Sequence, residues 1–197
     1  MPAFLHHRPS DVTLGIITIA ALGFLALFGL WIQVLEAAVL PSGFNVLHVE
    51  FALTAEQMDI ILSTWLSMDV LHVEVLIDQL DVFMMPGWSI MFFGIQVLGL
   101  RAMNFLDVGK QFRHVSWKIV ILPLIAGAFD TLENIIIFHV LSNPASYVRP
   151  IVPVLFLFVM VKWVLLFTGI VIGSIANIWA LVVWSRRGFP IAPVIRA

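Results

Sequence analysis

The sequence predicts an all-α polytopic membrane protein, a four-helix transmembrane bundle with an amphipathic helix on the outer leaflet before the second span. Three observations predict it. Hydrophobic residues make up 61% of the 197 residues and charged ones only 11%, against roughly 25% charged in a soluble domain. A water-soluble fold of that composition would expose large apolar patches and aggregate, so lipid must cover them. Four apolar stretches are long enough to cross a bilayer, which takes about 20 helical residues at about 1.5 Å each. Eight of the ten basic residues flank those stretches on one side.

The spans are taken in chain order. The first covers Val12–Leu35 and follows His6, His7 and Arg8. A secretion signal would begin similarly, but the apolar run from Val12 to Ile32 exceeds the roughly 7–15 residues of a signal core. No clean small-residue cleavage site follows, so this segment is read as a retained helix. The second span covers Val82–Leu100, the third Trp117–Leu141 and the fourth Ile151–Trp184. The fourth is interrupted only by Lys162. It is longer than one crossing needs and too short for two with a turn, so either it tilts or its first part lies beside the membrane. No repeat, low-complexity tract or second domain is visible, and residues 1–197 read as a single transmembrane domain.

The basic residues orient the spans. Arg8 precedes the first; Arg101, Lys110, Arg113 and Lys118 lie between the second and third; Arg186, Arg187 and Arg196 follow the fourth. The positive-inside rule places the middle loop and both termini in the cytoplasm, and the expected location is the plasma (inner) membrane. Trp117 and Trp184 then fall at the inner interface and Trp31 and Trp88 near the outer one, as an aromatic belt requires.

On the outer side, Glu36 to Asp81 holds eight acids and no Lys or Arg. Thr54-Ala-Glu-Gln57 reads as a capping box, in which the Thr hydroxyl accepts from a free amide and Gln57 reaches back. Ile61, Trp65 and Met68 recur at helical spacing after it, as an amphipathic helix lying on the leaflet would have them. Pro86 and Gly87 stand where they can break or kink the join to the second span.

Asp130, Glu133 and Asn134 stand out because they interrupt an otherwise apolar span, and spacings of three and four put them on one face. Asp130 lies about 20 Å into the membrane from Trp117 at helical rise. A charge at such depth costs at least about 2.5–3.5 kcal/mol, so two acids within one turn need partners, water or protons. Lys162 is the expected partner. The short turn Ser142–Pro150 makes the third and fourth helices antiparallel neighbours. A span starting near Ile151 puts Lys162 about 16 Å from the outer face, within reach of Asp130 or Glu133. A span starting at Trp163 would instead leave it snorkelling at the boundary. Asp81 opens the second span and can turn inward to join the set. Glu74 and Asp78 align with it at helical spacing, but their expected place is the wet face of the outer helix.

His48, His72 and His139 also fall on the outer side, and histidine with carboxylate suits zinc, manganese or iron. No His-x-x-x-His or Glu-x-x-His pair presents ligands on one helical face, so His72 and His139 remain secondary candidates, no metal site is assigned and no cofactor is implied. The absence of cysteine excludes disulfides, thiolate metal sites and cysteine nucleophiles. No phosphate loop, Gly-x-Ser-x-Gly or basic aromatic stripe supports ATP hydrolysis, serine-hydrolase chemistry or nucleic-acid binding. Gly169 and Gly173, extended by Ala176 and Ala180, form a small-residue stripe. It allows close packing within the bundle or, less favoured, a homo-oligomer.

The element Ala128-Phe-Asp-Thr-Leu-Glu-Asn134, with Lys162-Trp163 and Asp81-Val-Phe83 followed by Trp88, resembles a loose group of small, mostly bacterial four-helix membrane proteins that carries no named activity. The aromatic and arginine that often precede the second-helix acid in that group are not evident here. The resemblance implies that Asp81, Asp130, Glu133, Asn134 and Lys162 act as one set.

Three functions compete on these residues. The polar set can bind or carry a small molecule, cation or proton from the outer side. It can serve a membrane-embedded enzyme acting on a lipid or apolar substrate, with Asp130 or Glu133 as acid or base and Lys162 stabilising negative charge. It can also simply fix helix register in a structural or assembly subunit. The first is preferred. The bilayer is the one certain partner, with a small-molecule or lipid ligand expected beside it.

Overall fold

The computed structural model describes residues 9–105 and 116–186, and among these the chain is helical without strands. Six α-helices follow one another: α1 (Asp11–Val39), α2 (Val46–Glu50), α3 (Ala55–Ser67), α4 (Leu71–Phe105), α5 (Ser116–Ser142) and α6 (Ile151–Arg186), with a 3-10 turn at Leu40–Ser42. The four long ones are each apolar and long enough to cross a membrane. Arg8, Lys110, Arg113, Arg187 and Arg196, used above for orientation, lie outside the described residues, as do the side chains of Trp117, Lys118 and Trp184.

Local chemistry sets the ends. Ser10 caps α1 by accepting from the Thr13 amide at 3.1 Å. Asp11, in the first turn where the helix dipole favours an acid, pairs with Arg101 of α4 at 2.6 Å. Gly43 ends the 3-10 turn at φ 79°, a left-handed conformation that only glycine enters freely. Thr54 caps α3 through the Gln57 amide at 3.3 Å, as the capping box requires. The return bond runs one residue further than expected, from the Leu53 amide to Gln57 Oε1 at 2.8 Å.

One expectation about α4 is corrected, and α6 is observed as a single helix. Pro86 and Gly87 do not interrupt the second helix, which runs unbroken from Leu71 to Phe105 and so starts eleven residues before the predicted span. The missing Pro amide is tolerated because neighbouring helices support the backbone. The fourth span is likewise one continuous helix, from Ile151 to Arg186.

Helix α4 is the hub, packing against α1, α5 and α6, whereas α1 leans on α4 almost alone. Arg101 of α4 meets the start of α1, and Gly99 lies against Asn177 near the end of α6, so α1 and α4 are antiparallel and α4 and α6 parallel. One end of the bundle therefore carries α2, α3 and the 143–150 turn; it is called the capped end. The principal core lies there. Met58, Ile61, Leu62 and Trp65 of α3 are buried with Val49 and Ala52 against Ile77 of α4, Ile137 and Val140 of α5 and Val152 and Leu155 of α6. Helix α3 thus forms with Ile61 and Trp65 buried in protein, while Met68, expected on the same face, caps its end and is exposed.

Two side-chain staples hold the cap. Trp65 Nε1 donates to Ser42 Oγ at 3.0 Å. Tyr147, in the α5–α6 turn, donates to Asp59 of α3 at 2.6 Å and to the Ala55 carbonyl at 3.1 Å, while Arg149 pairs with the other Asp59 oxygen. Burial and the Asp59 carboxylate beside it push the Tyr147 phenol up to about 12.

Candidate functional site

Two polar pairings converge just beneath the cap. On α5 the one-face spacing of Asp130, Glu133 and Asn134 turns all three inward, and they are 3%, 0% and 3% exposed. Lys162 of α6 is 5% exposed, with its ammonium 2.6 Å from Glu133 Oε1 and 3.2 Å from Asp130 Oδ1. It pairs inside the bundle and does not snorkel. Asn134 donates to Asp81 Oδ2 of α4 at 3.0 Å, so the five residues singled out together do meet in space.

The structure adds a sixth contributor that the sequence did not single out. Glu50, at the end of α2, is buried; one of its oxygens lies 3.5 Å from the Lys162 ammonium and 3.4 Å from the Trp163 indole nitrogen. The ammonium also sits 5.3 Å from the Trp163 ring centre. Glu50 lies in a stretch of eight dispersed acids with no apolar span around it, so no pattern distinguished it. The turn Gly43–Asn45 and the short α2 bring it back over the bundle.

Glu74 and Asp78 do not lie on a wet face. They are 1% and 2% exposed, because α4 is already inside the bundle at Leu71 and the cap covers its first turns. Asp78 lies within electrostatic reach of Asp81, Glu74, Asp130 and Glu50. Six carboxyl groups (Glu50, Glu74, Asp78, Asp81, Asp130 and Glu133) thus gather at the capped end, and three of them, Glu133, Asp130 and Glu50, lie within 3.5 Å of the Lys162 ammonium. Both oxygens of Asp78, one of Glu74 and one of Glu133 are buried without a hydrogen-bond partner. Such a set cannot be wholly ionised without counter-charge, since each unpaired charge at this depth costs several kcal/mol.

The other candidates lie apart. His72 and His139 are exposed on the surfaces of α4 and α5, and His48 bonds its neighbour Asn45 within α2. Among the described residues no three His, Asp or Glu side chains converge as metal ligands. Gly169 and Gly173 are buried, and α4 occupies their notch: Gln96 donates to the Gly169 carbonyl at 2.9 Å, and a Cβ at Gly173 would meet Gln96 Cγ at 2.9 Å. A separate open groove of about 610 Å³ runs between α2 and α3, lined mainly by Phe44, Leu47, Phe51, Ile60 and Ile61. None of the six acids lines it. No family model, curated protein or solved structure matches the chain.

Proposed function

We propose that this protein is a membrane-embedded cation-binding protein whose ligand, the proton first, exchanges at the acid–lysine cluster beneath the cap. The observation that carries the reading is the excess of acid: six carboxyl groups to one ammonium, with four carboxylate oxygens buried and unpartnered. A purely structural knot needs charge balance and saturated hydrogen bonds, because an unsatisfied buried polar group costs about 1–3 kcal/mol. Water can saturate the hydrogen bonds, but only protons or a cation also offset the excess of negative charge. The basic residues around the opposite end favour placing the capped end outside the plasma membrane, with α3 at the outer leaflet and Glu50 as the cluster member nearest the outer solution. The resemblance noted above groups five of the same residues.

The test is infrared difference spectroscopy on the protein in phosphatidylcholine vesicles between acid and alkaline pH. The wild type is expected to show carboxyl C=O bands that appear on acidification and diminish in Asp78→Asn and Glu133→Gln. Bands that ignore both pH and added sodium or potassium would overturn the reading. Two other outcomes separate the alternatives with Asp130→Asn combined with Lys162→Met. Growth and folding like wild type would mark a structural subunit, and accumulation of an unprocessed lipid would mark an enzyme.

A further inference from the structure

Below the cluster, the interior of α4 carries two polar groups, Ser89 and Gln96, that nothing in the binding reading uses, and they continue the line of the cluster's Asp78. Asp78, Ser89 and Gln96 are separated by eleven and seven residues, which at 3.6 residues per turn places them on one stripe of the helix. All three are buried, and each has a side-chain oxygen without a hydrogen-bond partner: both of Asp78, the Ser89 hydroxyl and Gln96 Oε1. Ser89 points at Gly127 of α5, where an added Cβ would stand 2.4 Å from its hydroxyl. Gly127 is one turn from Asp130, so Ser89 lies about 5 Å below the cluster along the bundle axis. Gln96 follows about 11 Å further down, again by helical rise. It faces the Gly169–Gly173 notch of α6, and Asn177, about 6 Å beyond Gly173, donates to the Gly173 carbonyl at 2.8 Å. A Cβ at Gly99 would meet Asn177 Oδ1 at 2.1 Å, so this step returns to α4 near the opposite end.

From this alignment we infer that the protein conducts protons across the membrane, along a column of Ser89, Gln96 and Asn177 that joins the acid–lysine cluster to the opposite end of the bundle. The inference rests on the proposed exchange of protons at the cluster and extends it from binding on one side to passage. The steps are longer than a direct hydrogen bond, so water must bridge them, and a buried water needs two to four polar partners. The unpartnered oxygens of Ser89 and Gln96 are acceptors for such waters, and the Ser89 hydroxyl is also a donor. The opposing explanation is helix glue, since small polar residues commonly hold membrane helices together. Gln96 Nε2 does serve in that way, but its Oε1 and the Ser89 hydroxyl are spent on no neighbouring helix.

The experiment reconstitutes the full chain in phosphatidylcholine vesicles enclosing a pH-sensitive dye and applies a pH step with valinomycin and potassium to clamp the voltage. Wild-type vesicles are expected to equilibrate faster than empty ones. Ser89→Ala and Gln96→Leu should each slow that flux by about tenfold, roughly the value of one lost hydrogen bond, with the cluster's carboxyl infrared bands unchanged. Hydroxyl-radical footprinting of the wild type supplies a readout independent of any variant: buried Met85, one turn above Ser89, should be oxidised by column water. Wild-type flux in both folded variants would overturn the column. So would an unlabelled Met85, or carboxyl bands that titrate while the wild type passes no protons; in those cases the binding site still stands. Loss of the carboxyl titration itself would instead remove the reading beneath it.

Discussion

The capped and opposite halves of the bundle solve the same problem by different means. At the capped end the helices meet through charge: Lys162 holds Glu133, Asp130 and Glu50, and Asn134 holds Asp81. Toward the opposite end they meet through absence of side chain. Gly94 lies so close to α1 that a Cβ would stand 2.0 Å from Thr18 Oγ1, and Gly99 and Gly173 receive Asn177 and Gln96. In lipid, helices gain little from burying apolar surface against one another, so close van der Waals contact and interhelical hydrogen bonds must supply the affinity. The first half is held mainly by paired charge and the second mainly by close approach of backbone. The cap belongs to a third regime, an apolar core like that of a soluble domain, centred on Met58, Leu62 and Trp65.

Breaking the charged half should have the largest effect. Lys162→Met leaves Glu133 and Asp130 buried beside each other without a counter-charge, and removing one partner of a buried pair costs about 3–5 kcal/mol. The expected outcome is a steep loss of thermal stability in detergent, largest at neutral pH and smaller in acid, where protons replace the missing ammonium. Glu133→Gln added to Lys162→Met should recover part of the loss; a double variant no better than the single would show that the two residues are uncoupled.

The tight half comes next. Gly94→Leu must push Thr18 aside, although its hydroxyl already bonds the Leu14 carbonyl at 2.8 Å. Overpacking of this kind costs about 1–3 kcal/mol. Because α1 rests on α4 almost alone, engineered cysteine cross-linking between the two helices should fall sharply in this variant while that between α5 and α6 holds. The loss should be the same at pH 5 and pH 8, in contrast to Lys162→Met.

The cap gives the third and fourth effects. Tyr147→Phe removes the hydroxyl whose single proton is shared between Asp59 and the Ala55 carbonyl of α3 and should cost about 1 kcal/mol, read as a lowered melting temperature. Its pH dependence follows from the raised phenol: the unfolded tyrosine ionises near 10.0 and the folded one near about 12. The unfolded state therefore loses its proton first, and the tyrosine's contribution, complete below pH 10, is lost as pH rises towards about 12. The wild type should show a fall in melting temperature over that window that Tyr147→Phe lacks. The smallest change belongs to Arg149→Ala, since that arginine is two-thirds exposed. An exposed pair contributes about 0–1 kcal/mol, and added salt should abolish even that difference.

Legibility tracked local context. Asp130, Glu133 and Asn134 were readable because charges interrupting a lipid-facing composition must turn inward, and Lys162 because the 143–150 turn brings its helix alongside theirs. Gly169 and Gly173 announced a close contact without saying whose, and Gln96 of α4 proved to be the occupant. Glu74 and Asp78 misled for a physical reason: acids preceding an apolar run normally sit in water, and here α4 begins early and a cap excludes the water. Glu50 was unreadable, since its burial depends on a path between α1 and α3 that no periodicity records.

The amino-acid sequence alone determined that this chain has four membrane-length helices and that Asp130, Glu133 and Asn134 share one face of α5, because apolar length and helical spacing are properties of a single segment. Only the tertiary structure decided that α3 folds over the bundle and that six acids gather beneath it, three of them on one lysine. Those outcomes depend on which surfaces meet across distant parts of the chain, and the energy of a buried charge is set by its neighbours in space.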